Sequence, residues 1–171
     1  MAGQLRFAEG LSVVPVLGPI AFTTAAMDTE YIDMRDNHWC TFLVMFGSVT
    51  SDTSDTVTIT IQCSSVSTSA TGDDIAFTYR LSSVIETDSW GAITAATSDG
   101  LTLTSSTDLT VSMSNRALLV SVNADDLPAK KADGRYISMV LTPTAEVAAG
   151  VVSVCAVLEN RYPGNSIPSS S

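Results

Sequence analysis

Along much of the chain, apolar and polar residues alternate with a period of two. In DTVTITIQC, Val57, Ile59, Ile61 and Cys63 share one face, and Thr56, Thr58, Thr60 and Gln62 share the other. A half-buried antiparallel strand requires this alternation, because successive side chains point to opposite sides of a pleated sheet. In IAFTYRL, Ile75, Phe77, Tyr79 and Leu81 oppose Ala76, Thr78 and Arg80. Leu101 and Leu103 alternate with Thr102 and Thr104, and Leu109, Val111 and Met113 alternate with Thr110 and Ser112. ALLVSVN, RYISMVLT and GVVSVCAVLEN add further strands. The separators SVTSDTSD, SATGDD, TSDG, NADDLPAKKADG and TPTAEVAAG are rich in turn formers. The pattern predicts an all-β protein of about eight strands, built as a jelly roll or an antiparallel β-sandwich. Helical periodicity does not compete: AEVAA is too short, and NADDLPAK offers one turn started by Asn123.

Two segments depart from the one-faced pattern. In WCTFLVMF, Trp39, Thr41, Leu43 and Met45 point one way, while Cys40, Phe42, Val44 and Phe46 point the other. VVSVCAVL has the same two-faced character. Such a strand is either covered on both sides or turns one face to a partner. Trp39, Leu43 and Met45 are therefore candidate subunit-interface residues.

Residues 1–27 have no clean period, and Pro15, Gly18 and Pro19 stiffen and interrupt them. Yet Val13, Val14, Val16, Leu17, Ile20 and Phe22 make the segment too apolar for a solvated tail. It reads as an extended N-terminal arm that needs a surface to lie on, on either its own domain or another subunit. Val13, Val14, Val16, Leu17, Ile20 and Phe22 are the candidate partner-binding residues. The expected organisation is an arm over 1–27, a β-sandwich over 28–162 and a C-terminal tail over 163–171.

Composition narrows the partners. The chain has 171 residues, 45% hydrophobic and 15% charged, with a net charge of −10. Charge is sparse against the usual value of about 25%, so Ser, Thr, Gly and Ala must cover the surface. The basic residues are scattered rather than clustered, which argues against nucleic acid and anionic membranes. Cys40, Cys63 and Cys155 are odd in number, far apart and set in apolar runs. They read as reduced, buried thiols rather than a disulfide framework, and without a CxxC pair they do not suggest zinc. The apolar stretch near the N-terminus is broken by prolines, unlike a signal peptide. No run reaches the roughly 20 apolar residues of a membrane-spanning helix.

Candidate chemistry gathers in YIDMRDNHWCTFLVMF, with the single histidine His38 beside Asp33, Arg35 and Asp36. A catalytic histidine needs an activated nucleophile, and nothing like GxSxG is present. Asp73–Asp74 and Asp125–Asp126, with Asp52 and Asp55, read as solvated turn residues, and calcium is the alternative use of such loop oxygens. Trp39, Trp90, Tyr79, Tyr136 and Tyr162 could form a sugar-stacking platform, with Trp90 in DSWGA the more exposed candidate. Neither a catalytic site, a cofactor nor a metal is expected.

The order of an apolar arm, YIDMRDNHWCTFLVMFG, TVTITIQC, FTYRL, GRYISMVLTPTA and VSVCAVLENRYPG resembles the small β-rich head proteins of tailed bacteriophages. These are the decoration, or cement, proteins encoded alongside the major capsid protein. The resemblance covers residues 28–164 as a pattern of strands. It implies a structural virion protein without enzymatic activity, made in the host cytoplasm and bound to the outer capsid surface. It further implies a homo-oligomer, often a trimer, that binds the major capsid protein and neighbouring copies, with terminal arms reaching across subunits. Two other readings remain open: a carbohydrate-binding or adhesion module of a tail or fibre, and a shell-forming jelly-roll subunit.

Overall fold

A computed structural model of the chain describes residues 11–22, 25–47, 56–68, 72–82, 89–104, 115–127, 133–143 and 150–160. The strands in chain order are β1 (Leu11–Ala21), β2 (Met27–Asp28), β3 (Ile32–Asp33), β4 (Asn37–Phe46), β5 (Thr56–Ser64) and β6 (Asp73–Ile75). They continue as β7 (Phe77–Leu81), β8 (Thr94–Ala96), β9 (Leu101–Thr104), β10 (Ala117–Asn123), β11 (Tyr136–Pro143) and β12 (Val151–Asn160). A single 3-10 turn, Ala124–Asp126, follows β10, and Asn123 caps it by accepting from the Asp125 amide at 3.0 Å. The expected strand around Leu109, Val111 and Met113 lies outside the described residues.

Two antiparallel sheets form a sandwich. The first runs β1-β12-β4-β10-β7-β8 and the second β2-β11-β5-β6, with β3 also on β11 and β9 also on β5. The pairing is nested: the first strand lies beside the last, β2 and β3 lie beside β11, and β4 lies beside β10. A jelly roll is a long antiparallel ladder wrapped so that early strands pair with late ones in this way.

The core forms between the sheets. From the first sheet come Phe42, Val44, Leu118, Val120, Val152 and Val154, and from the second Ile59, Ile61, Ile137, Met139 and Leu141, all buried. On β5 the burial alternates as the sequence predicts, with Val57, Ile59, Ile61 and Cys63 inside. Each such aliphatic side chain contributes about 1.5–3 kcal/mol.

Three features sharpen the expected layout. First, the N-terminal segment lies on its own domain. Residues Leu11–Ala21 form the edge strand of the first sheet, antiparallel to β12 with irregularities between Pro15 and Ile20. Their apolar side chains lie partly on their own domain. Val16 and Phe22 are buried, and the Phe22 ring stacks on Phe46 with centroids 6.2 Å apart. Second, IAFTYRL is not one strand. Ile75 ends β6 in one sheet and Phe77 starts β7 in the other, so the chain crosses the sandwich at Ala76 while keeping its alternation. Third, Cys155 is not deeply buried: it is half-exposed on the outside of the first sheet, whereas Cys40 and Cys63 are sealed in the core. Burial pushes the Cys40 thiol up to about 12, so it stays a protonated packing group.

Candidate interaction surface

The polar residues before β4 are engaged in an ion-pair cluster. Asp33 sits on β3, which pairs with β11 through Tyr136. Arg135 donates from Nε to Asp33 Oδ1 at 2.8 Å and from its terminal nitrogen to Oδ2. Its guanidinium carbon lies 4.9 Å from the centre of the Tyr136 ring. Arg35 is 3.8 Å from Asp33 and 3.7 Å from Asp36, and its amide donates to Asp33 at 3.0 Å. The Arg135 hydrogen bond holds the Asp33 carboxyl below its usual range. The cluster fastens β3 to β11. His38 is exposed at the start of β4, and among the described residues no hydrogen bond or ion pair joins it to Asp33 or Asp36.

The other candidates are dispersed. Asp73 and Asp74 are exposed on the edge strand β6, and Asp125 and Asp126 are exposed on the 3-10 turn. Asp52, Asp55 and Tyr162 lie outside the described residues. No group of three or more metal-ligating side chains occurs among the described residues. The tryptophans exchange their expected roles: Trp90 is half-buried where it bridges to Ser82, while Trp39 is 41% exposed. They stand at opposite ends of the first sheet. The residue paired with Trp90 neighbours Ala117 at one end of β10, and Trp39 pairs with Asn123 at the other. Tyr79 packs against the core instead.

What the fold does assemble is the outer face of the first sheet. Strand register aligns its outward side chains in rows. One row runs Leu11, Glu159, Trp39, Asn123, and the next runs Val13, Val157, Thr41, Ser121, Thr78, Ala95. The third runs Pro15, Cys155, Leu43, Leu119, Arg80, and beyond it come Ser153, Met45 and Ala117. The large apolar side chains left exposed among the described residues are Val13, Ile20, Trp39, Met45, Val66, Ile93 and Val151. All but Val66 belong to this sheet or to the residue before its strand β8. The charged side chains in these rows are Glu159 and Arg80, and Arg80 Nε donates to the Gly91 carbonyl at 3.0 Å. At the centre the Thr41 and Ser121 hydroxyls hydrogen-bond at 3.0 Å. A depression of about 250 Å³ opens beside them, lined by Thr78, Arg80, Ile93 and Leu119 among others.

The expected contact residues divide accordingly. Trp39, Leu43 and Met45 come together on this face, with Trp39 and Met45 each 41% exposed. Val13 and Ile20 are exposed on β1, and Val14 and Leu17 pack partly against the core. Val16 and Phe22 are buried in their own core. Sequence reasoning missed Val157, Leu119 and Ile93 as members of the face. The two-faced character of VVSVCAVL signalled the first, and no local signal marks the other two, which the register brings in.

No family model and no curated protein matches the chain. A chain in the structure of infectious bursal disease virus, Gx strain, is similar at 11% identity with a TM-score of 0.22. The alignment covers 86% of this chain and 39% of the viral one.

Proposed function

We propose that this chain is a structural virion protein, a phage capsid decoration protein that works by surface burial rather than chemistry. One observation carries the reading: an apolar face several strands wide on a sandwich whose core is already complete. Large exposed apolar patches mark interaction sites, and Val13, Trp39, Met45 and Val151 each leave an apolar side chain exposed on this sheet. The low charge of the chain and the resemblance of its order of segments to that of phage head proteins support the same reading. The jelly roll is compatible with it, since viral capsid domains, lectins and cupins all use that architecture, but a fold alone does not assign a function.

In this mechanism the face built around Leu43, Met45, Val157 and Trp39 is buried against other copies or the major capsid protein. Burial of apolar area drives association, and the ordered sheet presents that area with little loss of freedom. The negative net charge of −10 suits the solvent side of a shell rather than packaged DNA. The test is copurification with intact particles at a fixed ratio to the major shell protein, with Trp39 shielded from a soluble quencher on the particle. Absence from particles would refute the proposal, and so would a Trp39 quenched on the particle as fully as in the dilute monomeric chain. Binding to a glycan array with particle association absent would favour an adhesion module instead.

A further inference from the structure

The outer face of the first sheet has the two halves of a self-complementary contact, and we infer that its occupant is a second copy of this chain. The inference rests on the reading of this face as an assembly surface and names what covers it. In a two-fold contact each residue meets its counterpart twice, so a face that pairs with itself must carry knob and hole, plus and minus, together.

The charges fix where such an axis lies. Glu159 is on β12 in the row of Trp39, and Arg80 is on β7, three strands away in the row of Leu43. With strands about 4.8 Å apart and side chains of one face about 6.7 Å apart along a strand, the two stand about 20 Å from each other. A two-fold axis in the interface plane brings Arg80 of one copy onto Glu159 of the other only if it is the perpendicular bisector of that line. The midpoint falls on the hydrogen-bonded Thr41–Ser121 pair. The axis then runs at about 45° to the strands, so the two sheets cross at about 90°, a preferred arrangement of packed sheets.

The same axis satisfies features that did not define it. It carries the exposed Trp39 onto the partner's Thr78 and Arg80, which line the depression beside the centre. It sets Val157 between the partner's Leu43 and Leu119. It passes beside Cys155, so the two copies of that half-exposed thiol would face each other, while Cys40 and Cys63 stay sealed. Six strands by four rows cap the total buried area at about 1,500 Å², within the range of specific interfaces. Where the family resemblance implies trimers, this face argues for pairs.

Sedimentation of the intact chain across about 1 to 500 μM tests the inference. The expected result is a monomer–dimer equilibrium that Arg80→Glu and Glu159→Arg each weaken by about tenfold or more, because each places like charges together. The double variant should return to within about threefold of the parent, a recovery that only a direct contact gives. A short bis-maleimide should cross-link the parent through Cys155 and fail with Cys155→Ser. A chain that stays monomeric throughout the range would overturn the inference. So would a trimer, or a double variant no better than either single one. Particle binding lost on altering Met45 in a chain that never self-associates would give the face to the shell protein, leaving the proposed function intact and this inference wrong.

Discussion

The two outer faces of the sandwich are built on the same pleat and carry opposite chemistry. Outside the second sheet stand Thr56, Thr58, Thr60 and Gln62 of β5, flanked by Thr102 of β9, Thr142 of β11 and Asp74 of β6. Thr58 and Thr102 bond across the strands through their hydroxyls at 3.1 Å. Outside the first sheet, Trp39, Leu43, Met45, Leu119 and Val157 surround a small polar centre of Thr41 and Ser121. Both sheets bury an aliphatic inner face, so stability does not distinguish them. The difference is therefore informative about function: a fold that can clothe one sheet in threonine has set leucine, valine, methionine and tryptophan around the hydroxyls of the other.

Substitutions that compare inside with outside give the largest effects. Ile59→Asp places an unpartnered carboxylate at a position with no solvent exposure and should remove more than about 5 kcal/mol, a large part of any domain's stability. The expected result is an unfolded or aggregated protein, whereas Thr60→Asp, one residue along, should melt cooperatively. Soluble, cooperatively melting Ile59→Asp protein would contradict the assignment of β5.

Next come neighbours on β4. Phe42 is fully buried, and Phe42→Ala should cost about 3–5 kcal/mol in chemical denaturation. Leu43→Ala, on the outer face, should cost about 1 kcal/mol or less in the isolated chain, while weakening association. Equal losses from the two would remove the distinction between core and contact face.

A smaller effect tests the cluster below β4. The folded Asp33 carboxyl is held below its ordinary value of 3.8, so the pair adds stability above that pH and loses it as the pH falls through the folded value. Asp33→Asn should therefore melt below the parent at pH 6, and the gap should close as the pH falls through the folded value of Asp33. A gap independent of pH would show that the ion pair is not its source.

The sequence made the alternating strands legible because burial on one side imposes a period of two. It also made the contact face half legible, since WCTFLVMF and VVSVCAVL are apolar on both sides and the fold sets them side by side as β4 and β12. Other features depend on long-range pairing. Pro15, Gly18 and Pro19 obscure β1, although the pairing with β12 tolerates them through irregular register. The crossing at Ala76 is invisible because Ile75 and Phe77 face the same core from different sheets. Trp90 reads as exposed from its polar neighbours, yet it is half-buried where the chain bridges to Ser82.

The smallest effects on folding carry the most direct test of the account. Met45→Lys and Thr58→Lys each add one positive charge, to the outer faces of the first and second sheets, and each should change the stability of the free chain by no more than about 0.5 kcal/mol. Their occupancy on intact particles is the measurement. The account predicts parental occupancy for Thr58→Lys and a loss of about tenfold or more for Met45→Lys, since a charge buried in an apolar contact is costly. Parental occupancy for both, or loss from Thr58→Lys alone, would contradict the claim that the outer face of the first sheet is the assembly surface.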